Sequence, residues 1–372
     1  MCAGGTTQGA CDSREAPEPC SSLPVKDMPR RTLLQTSALA LALALAPRAA
    51  PAQVFQQAAP FRFTPDAFWL NLHQFLYVLG RAHSNAPDAT RTAVVTAVPD
   101  EERGLKDMSA EDAGNWRRAV ELYTSGASSL DAVFDETLIA AALDLAAARD
   151  APTLVPTTRI DRATRAALES AAPIYRKTFW PAHLAANQRF QAGMERLLQS
   201  YQRPILTLIT RAYGVAWPRN GFPVHICAYA NWAGAFSTRG PLILMSSVAP
   251  DMQGTLALET AFHESMHQWD DSMLRRLQSA ATTKRVAVDD WLTHAMIFYT
   301  AGEATRRAVP GHVPYAEKNG VWARGREPLR RALETAWGPW LDGKLTSEEA
   351  INDLVVRAAA PPPPTPRPRK RR

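Results

Sequence analysis

One short stretch of the sequence carries residues that could bind a metal ion and use it for hydrolysis. His263, Glu264 and His267 form the pattern H-E-x-x-H within "LETAFHESMHQWDD". If the stretch is helical, residues four apart stand on one face, so both imidazoles can reach one ion. Zinc favours imidazole nitrogen, and a catalytic zinc keeps an open position for water. Glu264 would lie beside that water as a general base. The pattern therefore predicts zinc-dependent hydrolysis with Glu264 as catalytic base.

A catalytic zinc takes three protein ligands, so a third must come from elsewhere in the chain. Glu303 follows His267 by 36 residues and stands in a largely apolar helical pattern, next to Gly302. Glycine permits close packing of that helix on the first one, so we predict Glu303 as the third ligand. His294 is the alternative. Because nine residues separate it from Glu303, the two face roughly opposite ways, and only one can join the site.

Three further side chains could polarise a substrate carbonyl or stabilise an oxyanion. Tyr299 lies four residues before Glu303 and shares its predicted helix face. His312 and Tyr315 lie on the loop "PGHVPYAEKNG", where functional groups often occur. We rank Tyr315 above His312. Asp270 follows His267 too closely to bind the same ion easily, which leaves it a supporting role.

The elements that must position these residues are predicted to form an α+β fold that is predominantly α-helical. Residues 53–216 read as a helical region, with Asp112 following Ser109 in the manner of a capping box. Pro181 and Pro204 suit the first turns of two separate helices. Strands are expected only just before the H-E-x-x-H helix, at Val224–Tyr229, at Leu242–Met245 and within "WAGAFST".

An apolar strand, an H-E-x-x-H helix and a later helix with a glutamate follow one another across residues 222–308. This order resembles the gluzincin branch of zincin-like metallopeptidases. The metzincin branch, which uses three histidines, is excluded because Asp270 and Met273 stand where it needs a glycine and a third histidine. The resemblance implies a zincin-like core with a small β-sheet in a catalytic region at 217–357. It also implies zinc held by His263, His267 and Glu303.

The resemblance further implies a peptide or protein substrate, aligned along an edge strand formed by "NWAGAFST" or "GPLILMSS". One position departs from the family pattern. Many gluzincins have an aspartate four residues after the ligand glutamate, where this chain has Arg307. Glu259, one turn before His263, is a candidate for the missing supporting carboxylate.

The first 52 residues contain the parts of an export signal. Arg30 and Arg31 precede a short apolar core, and Ala50-Pro51-Ala52 provides a small-residue cleavage site after Ala52. The arginine pair favours the twin-arginine route. The signal would start at Met28, which makes residues 1–27 a mis-assigned start. We expect an exported protein, periplasmic or secreted, with no stable membrane anchor after cleavage.

Charge and cysteine content restrict the partners and the stabilising bonds. The net charge of +6 comes largely from the Pro-rich basic tail at 358–372, predicted to be disordered, while residues 53–366 hold 32 basic and 32 acidic side chains. This balance argues against nucleic-acid binding. Cys227 is the single cysteine after the signal, so no internal disulfide is expected, and its apolar neighbours predict burial.

Two other functions are compatible with the sequence. One is a zinc hydrolase that acts on a non-peptide amide or ester. The other is a non-catalytic binding protein in which the helical half does the work and the zinc site is vestigial. An open edge strand beside the metal would favour a peptide substrate, whereas a closed pocket would favour a small one.

Overall fold

The computed structural model describes residues 59–84, 91–154, 159–238 and 242–359. The predicted export signal and nearly all of the basic tail lie outside these residues. The strands are β1 (Phe61–Thr64), β2 (Phe222–Cys227), β3 (Ala235–Ser237) and β4 (Ile243–Ser246). The α-helices are α1 (Phe68–Ala82), α2 (Thr92–Val95), α3 (Ala97–Lys106), α4 (Ala110–Ser125), α5 (Glu136–Ala148), α6 (Arg162–Thr178), α7 (Trp180–Tyr213), α8 (Thr255–Met266), α9 (Asp270–Lys284), α10 (Leu292–Ala308), α11 (Tyr315–Lys318), α12 (Glu327–Ala332), α13 (Gly338–Leu341) and α14 (Ser347–Arg357).

The four strands form one mixed sheet in the order β1-β2-β4-β3. β1, β2 and β4 run parallel, and β3 pairs antiparallel with β4 at the edge. The three strands expected before the H-E-x-x-H helix are present, and the α+β, mostly helical class is confirmed. β1 was not predicted: it lies in the region read as helical and pairs Phe61 with Phe222.

Each face of the sheet packs on its own layer of helices. Ile226, Ile243 and Met245 point into one hydrophobic cluster together with α7, α8 and α10. Leu244 and Phe236 point into the other, together with α1, α4, α5 and α6. Successive side chains of a strand alternate between faces, which explains this division. Both clusters draw on residues from either side of position 217, so the two regions named from the sequence share their cores.

A buried amide ties the helical layer to the end of the sheet. The Oδ1 atom of Asn71 in α1 accepts from the Ala228 N–H at 2.9 Å and from the Asn187 side chain at 3.0 Å. The Nδ2 atom of Asn71 donates to the Ile226 carbonyl at 3.3 Å. Ser247 donates to Asn187 at 2.6 Å, next to the end of β4. These bonds fix α1 and α7 relative to the strand ends, where unpaired backbone groups would otherwise be buried.

Two predicted helix starts are present in the structure, and a third is not. Ser109 caps α4 by accepting from the Asp112 N–H, and Pro181 lies in the first turn of α7. The prediction that Pro204 begins a new helix is wrong, because α7 continues through it to Tyr213. The buried residues Ile205 and Ile209 that follow Pro204 extend the core face of α7, and this packing outweighs the backbone hydrogen bond that proline removes. Among the described residues, no helix has both the length and the apolar character needed to cross a membrane.

The contact between α8 and α10 brings the functional side chains together. Gly254 precedes α8 with φ of 60°, a conformation that favours glycine. Gly302 lies in α10 where the helix meets α8 and the following loop. A Cβ atom on Gly302 would lie 2.9 Å from the Pro314 Cβ and 3.2 Å from the Glu259 Oε1. The close packing expected at Gly302 is therefore present.

A matched pair of glycine substitutions tests this contact. In a helix interior, alanine is normally more stable than glycine by about 1 kcal/mol. Gly193→Ala in α7 should follow that rule, since its Cβ would meet no described atom within 4 Å. Gly302→Ala should instead destabilise the protein by roughly 1–3 kcal/mol, as overpacked core sites do. Urea unfolding measures both changes, and equal stabilisation by the two substitutions would contradict the close contact.

Candidate metal centre

Three histidine rings converge where α8 ends and α10 begins. His263 lies in α8, His267 in the 3-10 turn His267–Trp269 that follows it, and His294 in the first turn of α10. One ring nitrogen from each lies within 4.8 Å of the other two. Nε2 of His263 is 3.3 Å from Nε2 of His294. These three side chains are the group of potential metal ligands found among the described residues.

The spacing and chemistry of the three nitrogens fit one metal ion. Two imidazole nitrogens bound to a tetrahedral zinc at 2.0–2.1 Å stand about 3.3–3.4 Å apart. The separation between His263 and His294 has this value. A hydrogen bond between the two rings would explain that pair alone, but it would leave the convergence of His267 without a cause. A shared ion accounts for all three.

The electrostatics of the cluster favour uncharged rings, which is the form that binds metals. Burial, together with nearby His267 and His294, lowers the pKa of His263 well below its usual value. Burial likewise lowers the pKa of His294 to about 3, with a further contribution from His267. Both rings are therefore neutral at pH 7, and their Nε2 lone pairs are available to an ion.

Asp270 supports His267 directly. Nδ1 of His267 lies 2.7 Å from the Oδ2 of Asp270, which leaves Nε2 to face the cluster. Burial lowers the pKa of His267, but the hydrogen bond to Asp270 and the charge of Glu264 outweigh it, so the net shift is upward. A carboxylate on the second ring nitrogen is the common way to orient a metal-binding histidine. The sequence left this role open for Asp270 and proposed Glu259 for supporting His263.

Glu259 has other partners in the structure. Its Oε2 atom accepts from the Tyr315 N–H at 2.8 Å and lies 2.7 Å from Nε2 of His312. The other ring nitrogen of His312 lies 2.9 Å from the Thr255 hydroxyl. His312 is thereby buried and fully engaged, and it does not line the cleft beside the histidines. It joins Glu259 in fixing the loop after α10 onto α8.

The geometry favours His294 over Glu303 as the third member of a metal site. Glu303 is buried at the side of α10, where Arg306 and Arg307 donate to its two carboxylate oxygens. Adjacent residues of a helix point about 100° apart, so the face that brings Gly302 onto α8 turns Glu303 away. Glu303 and Tyr299 line a separate cavity of about 270 Å³. The two share a face, as expected, but that face lies away from the histidines.

The histidines open onto a larger cleft of about 1240 Å³. Glu264 and Tyr315 also line it. Glu264 is 7% exposed, and burial raises the pKa of its carboxyl group, with His267 acting in the opposite direction. The Tyr315 hydroxyl donates to Asp251 at 3.2 Å. A carboxyl group whose pKa is raised by burial suits proton transfer near neutral pH.

An aromatic wall beside the histidines was not anticipated from the sequence. Phe298 contacts the His263 ring at 4.3 Å between centroids and stacks on His294 at 4.7 Å. Trp291 stacks on Phe298 in turn, at 5.8 Å. The i, i+4 spacing of His294 and Phe298 is the signal that could have placed both on the face toward α8. The wall holds two of the three rings and excludes water from one side.

The edge strand β3 lines the same cleft. Ser246 N donates to Gly234 O, and Thr238 N donates to Leu242 O. In an antiparallel ladder the hydrogen-bonded pairs alternate with unbonded ones. The backbone N–H and C=O groups of Ala235 and Ser237 therefore point away from β4, toward the cleft side of the sheet. An extended chain could pair with them there.

Comparison with known proteins gives no relative for this chain: no protein-family model, curated protein or solved structure matches it.

The ligand set predicts a difference between two substitutions in α10. His294→Ala should lower zinc affinity by more than about 100-fold, since even the loss of a supporting residue costs 10–100-fold. Glu303→Gln should leave the affinity unchanged, because Glu303 faces the arginines and a different cavity. Competition with a chromogenic chelator measures both. The reverse pattern would restore Glu303 as the ligand.

Replacement of Asp270 tests the supporting hydrogen bond. Asp270→Asn should weaken zinc binding by about 10–100-fold while leaving one zinc per chain at saturation. Asp271→Asn is the matched control, because among the described residues the bond to His267 comes from Asp270. Equal affinities of the two variants would show that Asp270 does not orient the ligand.

Proposed function

We propose that this chain is a zinc-dependent hydrolase of zincin-like type that cleaves peptide bonds. The observation that carries the proposal is the meeting of three imidazole rings and a buried carboxyl group, Glu264, in one cleft. His263, His267 and His294 would hold the ion. Zinc bound there supplies a Lewis acid and lowers the pKa of water, which makes attack on a carbonyl feasible at neutral pH.

Glu264 performs the proton transfers. Its carboxylate takes a proton from the attacking water as the water oxygen bonds to the peptide carbonyl carbon. It then delivers that proton to the nitrogen as the C–N bond breaks, so that a carboxylic acid and an amine leave the site. A raised pKa helps both steps, because the group must accept and release a proton at similar pH. Tyr315, whose hydroxyl donates to Asp251, is assigned to substrate binding at the cleft wall.

The edge strand supports a peptide as substrate. Ala235 and Ser237 present backbone donors and acceptors at the edge of the sheet, within the cleft that holds the histidines. A peptide that pairs with β3 gains main-chain hydrogen bonds whatever its sequence, and its scissile bond is held beside Glu264. A small amide or ester would leave this edge unused, so the non-peptide alternative has less support.

Export of the enzyme remains part of the proposal. It rests on the signal-like sequence between Met28 and Gln53, which lies outside the described residues. Cys227, the single cysteine among the described residues, is free and buried, and its burial was predicted from its apolar neighbours.

A single-atom exchange at Glu264 tests the mechanism. Glu264→Gln should lower kcat for a cleaved peptide by about 10²–10⁴-fold, the usual worth of a general base, while zinc remains bound. Glu348→Gln makes the same change at an exposed position in α14 and should leave kcat unaltered. Full activity of Glu264→Gln, with metal content measured by mass spectrometry on the same sample, would overturn the assignment.

A further inference from the structure

Helix α5 is apolar on two faces. Leu138, Ala141 and Leu145 are buried in the hydrophobic cluster beneath the sheet. A second stripe, Ile139, Ala140 and Leu143, is only partly buried and lines the cleft that contains the histidines. A helix that covers one core needs one apolar stripe, and its other side is normally polar. Leu143 packs at the margin of that cluster, whereas Ile139 and Ala140 do not belong to it, so the stripe as a whole faces the cleft.

The residues next to α5 extend this apolar surface. Phe134, just before the helix, is 75% exposed although it is a large hydrophobic side chain. It lines the cleft together with Val133 and Trp232. Single exposed apolar residues are common on protein surfaces, but contiguous ones that line a cleft mark a binding site. We call this surface the apolar wall; its members are Val133, Phe134, Ile139, Ala140, Leu143 and Trp232.

The wall is held in place without a ligand. The indole N–H of Trp232 donates to Asp131 at 3.2 Å, and Asp131 also accepts from the Val133 N–H at 2.9 Å. The guanidinium of Arg91 lies 5.0 Å from the centre of the Trp232 ring. These contacts fix the ring relative to the start of α5. A preformed apolar surface loses little entropy when it binds.

The position of the wall relative to the sheet determines which side chains of a bound peptide can contact it. β3 is the edge strand, and the helices α8 and α5 belong to clusters on opposite faces of the sheet. A peptide paired with β3 would continue the sheet into the cleft, with α8 on one side and α5 on the other. Because side chains of a strand alternate between faces, every second side chain of that peptide would point toward α5.

We propose that the apolar wall is a specificity subsite that takes a large apolar side chain, such as leucine or phenylalanine, of the peptide substrate. The inference rests on the proposed peptide-bond hydrolysis and names the substrate class for that site. The wall contacts one side chain at a fixed distance along the peptide from the bond that is cleaved.

Internally quenched peptides test the subsite directly. One set carries a single leucine, moved one position at a time along a Gly/Ser background, and a matched set carries aspartate instead. We expect the zinc-loaded protein to cleave the leucine peptides at a constant spacing from the leucine, with kcat/KM at least about tenfold above the aspartate set. Cleavage of both sets at equal rates would overturn the subsite and leave the hydrolase standing.

Two substitutions on α5 separate the wall from the rest of the helix. Leu143→Lys should abolish the leucine preference or turn it toward aspartate, because it places a cation on the wall. Ala147→Lys, one turn later on an exposed position outside the cleft, should keep the preference. Urea unfolding and zinc content of both variants check that the fold and the metal site are intact. An unchanged preference in Leu143→Lys would contradict the assignment.

Binding provides a readout that does not depend on hydrolysis. Fluorescently labelled leucine and aspartate peptides are titrated into the Glu264→Gln variant and followed by polarisation. Tighter binding of leucine peptides without any cleavage by the wild-type chain would support the wall and defeat the proposed hydrolysis. Equal binding of the two sets would show that substrate side chains do not occupy the wall.

Discussion

The packing of α10 on α8 is the contact on which the candidate site depends. Gly302 allows the two helices to approach so closely that an added Cβ would overlap Pro314 and crowd Glu259. About two turns earlier, α10 carries His294, whose ring then meets His263 across the gap. The H-E-x-x-H pattern supplies two candidate ligands, from α8 and the 3-10 turn that follows it, but the third nitrogen comes from this interhelical contact. The site is therefore a property of the packing and not of the motif alone.

Bringing three imidazoles together, with His263 buried and the other two partly buried, is costly unless something satisfies their polar nitrogens. Desolvation keeps His263 and His294 neutral, and a neutral pair can share only one proton between facing nitrogens. Around them the chain provides the aromatic ring of Phe298, and Asp270 fixes the third histidine from behind. Oriented lone pairs, a supporting carboxylate and an aromatic ring on one side are together suited to holding a metal ion. A merely structural histidine cluster has no need of all three.

Much of the fold could be predicted from local patterns, and the failures are non-local. The Ser109 cap and the strand pattern before α8 are each determined within a few residues. Whether α7 continues through Pro204 depends on packing of Ile205 and Ile209, and β1 exists because Phe61 finds a partner in Phe222. A similar reason explains why the sequence favoured Glu303 as the third ligand, whereas the geometry favours His294. Gly302 correctly indicated a close helix contact, but its neighbour Glu303 points about 100° away from it.

The layered fold also explains why a long helical half accompanies the short stretch that carries the histidines. The sheet separates two helical layers, one carrying the histidines on α8 and the other carrying α5, and the edge strand β3 ends between them. A chain that added to β3 would be enclosed by both layers at once, with the reacting groups on one side and apolar side chains on the other. The helical half buries Phe236 and Leu244, and its helix α7 also packs in the cluster that contains α8 and α10, so the histidines depend on it as well. The two regions that differ in sequence character thus act as the two walls of one cleft.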